Sequence, residues 1–135
     1  MRMIRTGDGS LVATRILVVD DDPFVRELVK ETLSFEADFA VEQAADGAAA
    51  LSVAETQRPH VVLLDVRLGG APDGLEVCRL LQANQAPPAV IFLTGMADNG
   101  DVQAGLEAGA KAYLTKPFSP LELIETVRGA LGESE

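Results

Sequence analysis

Residues 15–23 read RILVVDDDP, an apolar run that ends abruptly in three aspartates and a proline. The run is one of five short segments that are rich in Val, Ile, Leu, Phe or Ala; these are Arg15 to Asp20, Phe39 to Ala44, His60 to Asp65, Ala89 to Thr94 and Lys111 to Lys116. Nearly continuous apolar runs are typical of parallel strands that are covered on both faces. The segment 39–44 is more mixed, which predicts a position nearer the edge of the sheet.

Helix signals lie between these runs and after the last one. Asp22 followed by Pro23 predicts an N-cap with proline at the first helical position. Asp46-Gly47 introduces an Ala-rich helix through Gln57, and Gly74 to Asn84 is predicted to form a third. Five strands alternating with five helices predict an α/β doubly wound parallel sheet with a ligand crevice at the carboxyl ends of its strands.

The last two helices differ in the strength of their signals. Ser119 and Glu122 form a capping box at the start of the last helix. The segment Ala97 to Ala108 is the weak one, because Gly100 and Gly105 each cost about 1 kcal/mol relative to alanine in a helix interior. We expect this helix to be the loosest.

Length and charge restrict the class of protein. The 135 residues fit one domain, which we expect over residues 15–132, with a flexible leader at 1–14 and a tail at 133–135. The net charge of −10 would repel a phosphate backbone, so direct nucleic-acid binding is not expected. No apolar run is long enough for a membrane span, and residues 1–14 lack the apolar core of a signal peptide, so we expect a cytoplasmic protein. Cys78 is the only cysteine, which excludes an intramolecular disulfide.

Chemically compatible residues follow four of the five predicted strands. They are the aspartates 20–22, Asp65, Thr94 and Lys116. Parallel strands bring these residues to one edge of the sheet. Clustered carboxylates suit Mg²⁺, and a lysine and a hydroxyl beside them suit the oxygens of a phosphoryl group. A carboxylate next to the metal can then act as a nucleophile and form an acyl phosphate.

These residues resemble the receiver domain of two-component response regulators, a flavodoxin-like fold with strand order 2-1-3-4-5. The motifs that carry the resemblance are the acidic pair in ILVVDDDP, the aspartate ending VVLLD, the hydroxyl residue of FLTG and the lysine and proline of YLTKPF. They extend over about Arg15 to Leu131, which is nearly the whole chain.

The resemblance implies roles for the residues at the strand ends. Asp65 would be the phosphoacceptor. Asp20, Asp21, Asp65 and the backbone carbonyl of Arg67 would hold Mg²⁺, with Mn²⁺ as an alternative, and Asp21 would be the more direct ligand of the acidic pair. Asp22 is assigned the capping role only.

Further roles follow from the same resemblance. Thr94 would donate a hydrogen bond to the phosphoryl group, and Lys116 would pair with it. Thr94 and Tyr113 would form the switch, and the Lys116-Pro117 bond is expected to be cis.

The sequence departs from the usual family pattern beside the acceptor. In the loop VRLGGAPDG (66–74), Gly69 stands where proline is common and Gly74 comes one residue late. Arg67 and Met96 occupy positions that in similar domains influence attack of water on the acyl phosphate. Both are bulky and neither orients a water, so we expect slow self-dephosphorylation.

The resemblance also implies partners. The phosphoryl donor would be a sensor histidine kinase, a phosphotransfer protein or a small acyl phosphate, and a downstream protein would read the switch. The domain would catalyse only its own phosphorylation and dephosphorylation. A phosphorylation-dependent homodimer is an option, but Ala97 to Ala110 contains no Lys or Arg for charge pairs.

Other functions remain open from the sequence. Asp20, Thr94 and Lys116 also follow the order of motifs in haloacid-dehalogenase-like phosphatases, in which the first aspartate would be the nucleophile. A receiver-like scaffold without phosphorylation is another option. A flavin or nucleotide binder is disfavoured by the lack of a glycine-rich phosphate loop. Sequence does not decide between a stand-alone regulator and part of a longer protein.

Overall fold

A computed structural model describes residues 4–5, 11–95 and 99–132. Its five-stranded sheet consists of β1 (Thr14–Val19), β2 (Phe39–Ala44), β3 (Val61–Asp65), β4 (Ala89–Thr94) and β5 (Ala112–Thr115). The helices are α1 (Pro23–Ser34), α2 (Gly47–Gln57), α3 (Gly74–Gln82), α4 (Asn99–Glu107) and α5 (Pro120–Ala130). A separate antiparallel pair joins Ile4–Arg5 to Leu11–Val12.

The sheet is parallel throughout, and its strand order is β2-β1-β3-β4-β5. This confirms the predicted 2-1-3-4-5 topology and the edge position of the mixed segment 39–44. The sheet begins at Thr14, one residue before the predicted start of the domain. The assignment of residues 1–14 to a leader and of 133–135 to a tail stays a prediction.

Two apolar layers cover the two faces of the sheet. Because side chains alternate along a strand, Ile16 and Val18 point to the face that α1 and α5 cover, whereas Leu17 and Val19 point to the face of α2, α3 and α4. Strands β1, β3 and β4 are buried along nearly their whole length. Burial of each Val, Leu or Ile side chain contributes roughly 1.5–3 kcal/mol to the stability of the fold. The central strands are therefore well anchored and hold the residues at their ends in place.

The helix ends follow the predicted capping signals. Asp22 accepts a hydrogen bond from the Phe24 N–H, and Asp46 accepts one from Ala49. The capping box of Ser119 and Glu122 is complete. Helix α3 ends at Gln82, two residues before the predicted Asn84, and is capped by Ala83. Residues 97 and 98 of the weak fourth helix lie outside the described residues.

Candidate phosphoacceptor and metal site

Three carboxylates meet at the carboxyl ends of β1 and β3. Val19 pairs with Leu64 in the sheet, so the next residues along the two strands, Asp20 and Asp65, come to the same level. One carboxylate oxygen from each of Asp20, Asp21 and Asp65 lies within 4.8 Å of the others. Asp20 and Asp65 are buried, whereas Asp21 is exposed. The structure therefore brings together all three predicted carboxylate ligands.

This donor set fits a small hard cation. Mg²⁺ binds oxygen at about 2.0–2.1 Å in an octahedron, so ligand oxygens around it lie roughly 3–4 Å apart. Oxygens within 4.8 Å of one another need only small side-chain movements to reach that spacing. The exposure of Asp21 leaves room for the waters that Mg²⁺ retains. The carbonyl of Arg67 stays a predicted ligand.

Lys116 follows β5 directly and reaches back over the carboxylates. Its Nζ lies 2.7 Å from Asp20 Oδ2 and 3.5 Å from Asp65 Oδ2. Burial lowers the pKa of Lys116, but the hydrogen bond to Asp20 and the nearby carboxylate charges outweigh burial and raise it. Lys116 is therefore a permanent cation in the site. The Lys116-Pro117 bond that follows is cis.

At the Asp65 carboxyl, by contrast, burial outweighs the contacts that stabilise the charged form. Burial raises its pKa, and the nearby charge of Asp20 adds to this, against the lowering effects of the Arg67 N–H and of Lys116. The Arg67 N–H donates to Asp65 Oδ1 at 3.0 Å, which leaves Oδ2 on the side of Lys116. One oxygen of Asp65 is thus fixed by the backbone, and the other faces the cation.

The predicted switch residues lie on the two strands beside the carboxylates. Thr94 ends β4 and is buried, and Tyr113 lies on β5 with 45% of its surface exposed. Both line a small cavity of about 10 Å³ between β5 and α4. The side chain of Arg67 is exposed, and Met96 lies outside the described residues.

Sequence reasoning missed two contributions to this site. Gly74 allows the start of α3 to approach the acceptor, because a Cβ at this position would overlap the main-chain oxygen of Asp65. Arg26 of α1 donates from Nη1 to the main-chain oxygen of Asp20 at 2.6 Å. The only sequence signal for Arg26 was a cation one turn inside the helix that follows the aspartates.

Comparisons with known proteins agree with this geometry. The sequence model of the response regulator receiver domain matches residues 16–128. The chain is 44% identical over 121 residues to the DNA-binding response regulator MtrA of Mycolicibacterium smegmatis, covering 90% of this chain and 52% of the relative. It is 44% identical over 117 residues to the response regulator MprA of a Mycobacterium species, covering 87% and 50%. The chain thus spans about half the length of these curated relatives.

Solved structures show the same fold. A putative response regulator from Chloroflexus aurantiacus superposes with a TM-score of 0.83 at 34% identity, covering 90% of this chain and 99% of the other. The receiver domain of the putative response regulator NarL from Mycobacterium tuberculosis gives 0.83 at 32% identity, with the same coverage. Neither comparison supports the haloacid-dehalogenase alternative. The chain belongs to the response regulator receiver domain family.

Proposed function

We propose that this domain is the phosphoacceptor switch of a two-component phosphorelay, in which Asp65 accepts a phosphoryl group in the presence of Mg²⁺. The observation that carries the proposal is the grouping of three carboxylates within 4.8 Å with the ammonium of Lys116 at 3.5 Å from Asp65. Such a site has a nucleophile, a place for a divalent cation and a cation for the transferred group. Receiver domains act as signalling switches, and their phosphoryl donors are histidine kinases.

The residues of the site divide the work of phosphoryl transfer. The Asp65 oxygen that faces Lys116 attacks phosphorus, and the bond from phosphorus to the donor's imidazole nitrogen or acyl oxygen breaks. Asp20, Asp21 and Asp65 would hold Mg²⁺, which would supply positive charge against the phosphoryl oxygens. Lys116 pairs with one of these oxygens, and the hydroxyl of Thr94 donates to another. Catalysis in such a site is mainly positioning and electrostatic stabilisation.

The charge added by phosphorylation has an interaction energy of the order that a switch needs. It amounts to roughly one further negative charge. At about 4 Å and an effective dielectric constant near 20, its interaction with one cation is about 4 kcal/mol before desolvation. Shifting a two-state equilibrium from 1:99 to 99:1 takes about 5.5 kcal/mol. Thr94 then moves toward the phosphoryl group, and Tyr113 turns into the space beside it.

The wider setting of the switch belongs to the same proposal. A sensor histidine kinase or a phosphotransfer protein donates in the cytoplasm, where ATP is available, and a downstream protein recognises the altered surface. The domain itself turns over no other substrate. Among the described residues, every helix is too short or too polar to cross a bilayer.

Intact-mass measurement after incubation with acetyl phosphate tests the proposal. We expect the wild type to gain one phosphoryl group only when Mg²⁺ is present, and the Asp65→Asn variant to gain none. An unmodified wild type would overturn the proposal. So would an Asp65→Asn variant that is still modified on Asp20, the result that a haloacid-dehalogenase-like nucleophile would give.

A further inference from the structure

Arg26 connects the loop after β1 to two other elements of the fold. Its Nη1 donates to the main-chain oxygen of Asp20 at 2.6 Å, and its Nε donates to Gln43 Oε1 at 3.2 Å. Gln43 in turn donates from Nε2 to Glu27 Oε2 at 3.2 Å. The guanidinium therefore joins the loop after β1 to the first turns of α1 and to the edge strand β2.

This contact completes the hydrogen bonding of a buried residue. The Asp20 N–H donates to the Ala44 oxygen at 3.2 Å, Oδ1 accepts from the Asp22 N–H at 2.9 Å, and Oδ2 accepts from Lys116 at 2.7 Å. Arg26 supplies the partner of the remaining group, the main-chain oxygen. Asp20 has no exposed surface, so this oxygen would otherwise be costly to leave without a partner.

The bonded oxygen belongs to the peptide unit between the two members of the acidic pair. A peptide unit is planar, so fixing the direction of the Asp20 carbonyl also fixes the N–H of Asp21 and the direction in which Asp21 leaves the strand. Asp21 is exposed, and nothing in its own burial holds it in place. The orientation of its carboxylate thus depends on the peptide unit that Arg26 holds.

We propose that Arg26 is a positioning residue of the metal site, which holds the peptide unit between Asp20 and Asp21, and that Gln43 keeps its guanidinium in place. The proposal rests on the proposed function, because it concerns the same acidic site. Its effect is distinct from that of charge. A nearby cation repels Mg²⁺, so the loss of charge alone would tighten Mg²⁺ binding, whereas the loss of positioning weakens it.

Isothermal titration calorimetry with MgCl₂ separates the effect of charge from the effect of positioning. We expect Arg26→Met to weaken Mg²⁺ binding about tenfold, at the lower end of the 10- to 100-fold losses seen when groups that support metal ligands are removed. Arg26→Lys should recover part of the affinity, because an ammonium can donate to the Asp20 carbonyl but lacks the forked geometry that also reaches Gln43. Gln43→Leu, which keeps Arg26 but removes its second contact, should give an intermediate loss.

Lys30→Met is the matched control. Lys30 is exposed on α1 one helical turn beyond Arg26, so its replacement removes the same charge from the same helix. We expect its Mg²⁺ affinity to stay within about twofold of wild type, since an exposed charge is strongly screened. Urea unfolding of every variant distinguishes loss of metal affinity from loss of the fold.

A second measurement is the Mg²⁺ concentration that gives half the maximal rate of Asp65 phosphorylation by acetyl phosphate. It should rise in Arg26→Met by the same factor as the dissociation constant, and a role in stability alone would leave it unchanged. If the wild type binds Mg²⁺ and Arg26→Met binds it equally or more tightly, the positioning role is overturned and the proposed function is left intact. If Arg26→Met does not fold, unchanged affinity in both Arg26→Lys and Gln43→Leu would overturn it. A wild type that binds no Mg²⁺ would overturn both proposals.

Discussion

The ammonium of Lys116 lies closer to Asp20 than to Asp65, with Nζ–Oδ2 distances of 2.7 Å and 3.5 Å. Asp20 is buried and Lys116 is only about a quarter exposed, so this ion pair is largely removed from water. Breaking such a pair by removing one partner is costly because a buried charge is left without compensation. Before phosphorylation, Lys116 thus has a structural role at Asp20 and makes only a longer, weaker contact with Asp65.

Replacement of Lys116 by methionine should therefore destabilise the domain. We expect a loss of about 2–3 kcal/mol in the free energy of unfolding in the absence of metal, somewhat below the usual cost of a fully buried pair. Saturating Mg²⁺ should restore part of this loss, because an ion bound to Asp20 replaces the missing cation. Urea denaturation with and without MgCl₂ measures both effects. Lys111→Met, an exposed lysine just before β5, is the control and should change stability by less than about 0.5 kcal/mol.

The ends of the strands could be predicted from sequence because each apolar run stops at a polar residue. In a parallel sheet the carboxyl ends meet at one edge, so Asp20, Asp65, Thr94 and Lys116 had to lie near one another. Local capping signals such as Asp22-Pro23 could also be predicted, because donor and acceptor are neighbours in the chain.

Contacts between distant side chains could not be predicted in this way. Arg128 of α5 pairs with Asp38 and Glu36, and its guanidinium lies 4.5 Å from the centre of the Phe39 ring. This cluster depends on where α5 packs beside the turn before β2, which no local pattern encodes. The Arg26 contact with the Gln43 side chain on β2 was missed for the same reason.

Tyr113 gives a direct optical test of the switch, because the chain contains one tyrosine and no tryptophan. It is 45% exposed and lines the cavity that Thr94 also lines. If Tyr113 turns inward on phosphorylation, quenching of its fluorescence by acrylamide should fall markedly after addition of acetyl phosphate and Mg²⁺, because the ring loses most of its exposed surface.

Thr94→Val is the matched variant for this experiment. It keeps the shape of the side chain and removes the hydroxyl that would bind the phosphoryl group. We expect its Asp65 to be phosphorylated while Tyr113 remains as accessible to acrylamide as before. A Tyr113 whose quenching is the same before and after phosphorylation of the wild type would show that it is ordinary strand packing.

Gly105 lowers the helix propensity of α4 but leaves room for a side chain of the sheet. From sequence it only weakens α4, but a Cβ at this position would lie 2.8 Å from the Phe92 ring, which is buried in the sheet. Gly105→Ala should therefore destabilise the domain by up to about 2 kcal/mol, because overpacking costs about 1–3 kcal/mol and the gain in helix propensity offsets about 1 kcal/mol.

Gly129→Ala is its control in α5. Apart from its chain neighbours and the backbone of its own helix, no heavy atom lies within 4 Å of a Cβ at this position, so only the propensity gain applies, and we expect stabilisation of about 0.5–1 kcal/mol. Thermal unfolding of both variants gives the comparison. Stabilisation by both substitutions would show that Gly105 loosens α4 without a packing role. Hydrogen exchange then tests the looser fourth helix separately, since its amides should be less protected than those of α1.

The lifetime of the acyl phosphate depends on whether a side chain can orient water toward it. Arg67 is exposed two residues beyond Asp65, and neither it nor Met96 carries a carboxylate or amide suited to this task. We expect the double variant Arg67→Asn, Met96→Glu to shorten the half-life of phosphorylated Asp65 at least about tenfold, which is less than the roughly 10²- to 10⁴-fold that a fully positioned acid–base group contributes. Loss of radiolabel over time measures the half-life. A half-life that shortens little would contradict the assignment of these two positions.

His60 lies at the opposite end of the sheet, and its protonation should make the stability of the domain depend on pH. Its Nδ1 accepts a hydrogen bond from the Arg15 N–H at 2.9 Å, which requires the ring nitrogen to be unprotonated. Burial and the charge of Arg15 lower the pKa of His60 below its ordinary value of 6.5. The folded protein therefore binds fewer protons at this site than the unfolded chain, and the free energy of unfolding should fall as the pH drops below about 6.5.

His60→Asn isolates this contribution, because an amide oxygen can occupy the place of Nδ1 and does not titrate. Asp65, whose raised pKa makes the folded protein bind a proton more readily than the unfolded chain, changes stability in the opposite sense as the pH falls. The quantity to compare is therefore the difference between the wild type and His60→Asn in urea unfolding at pH 7.5 and at lower pH. We expect the wild type to lose more stability than the variant on acidification. Parallel curves would mean that the ring is protonated equally well in the folded and unfolded states, in spite of the bond from Arg15.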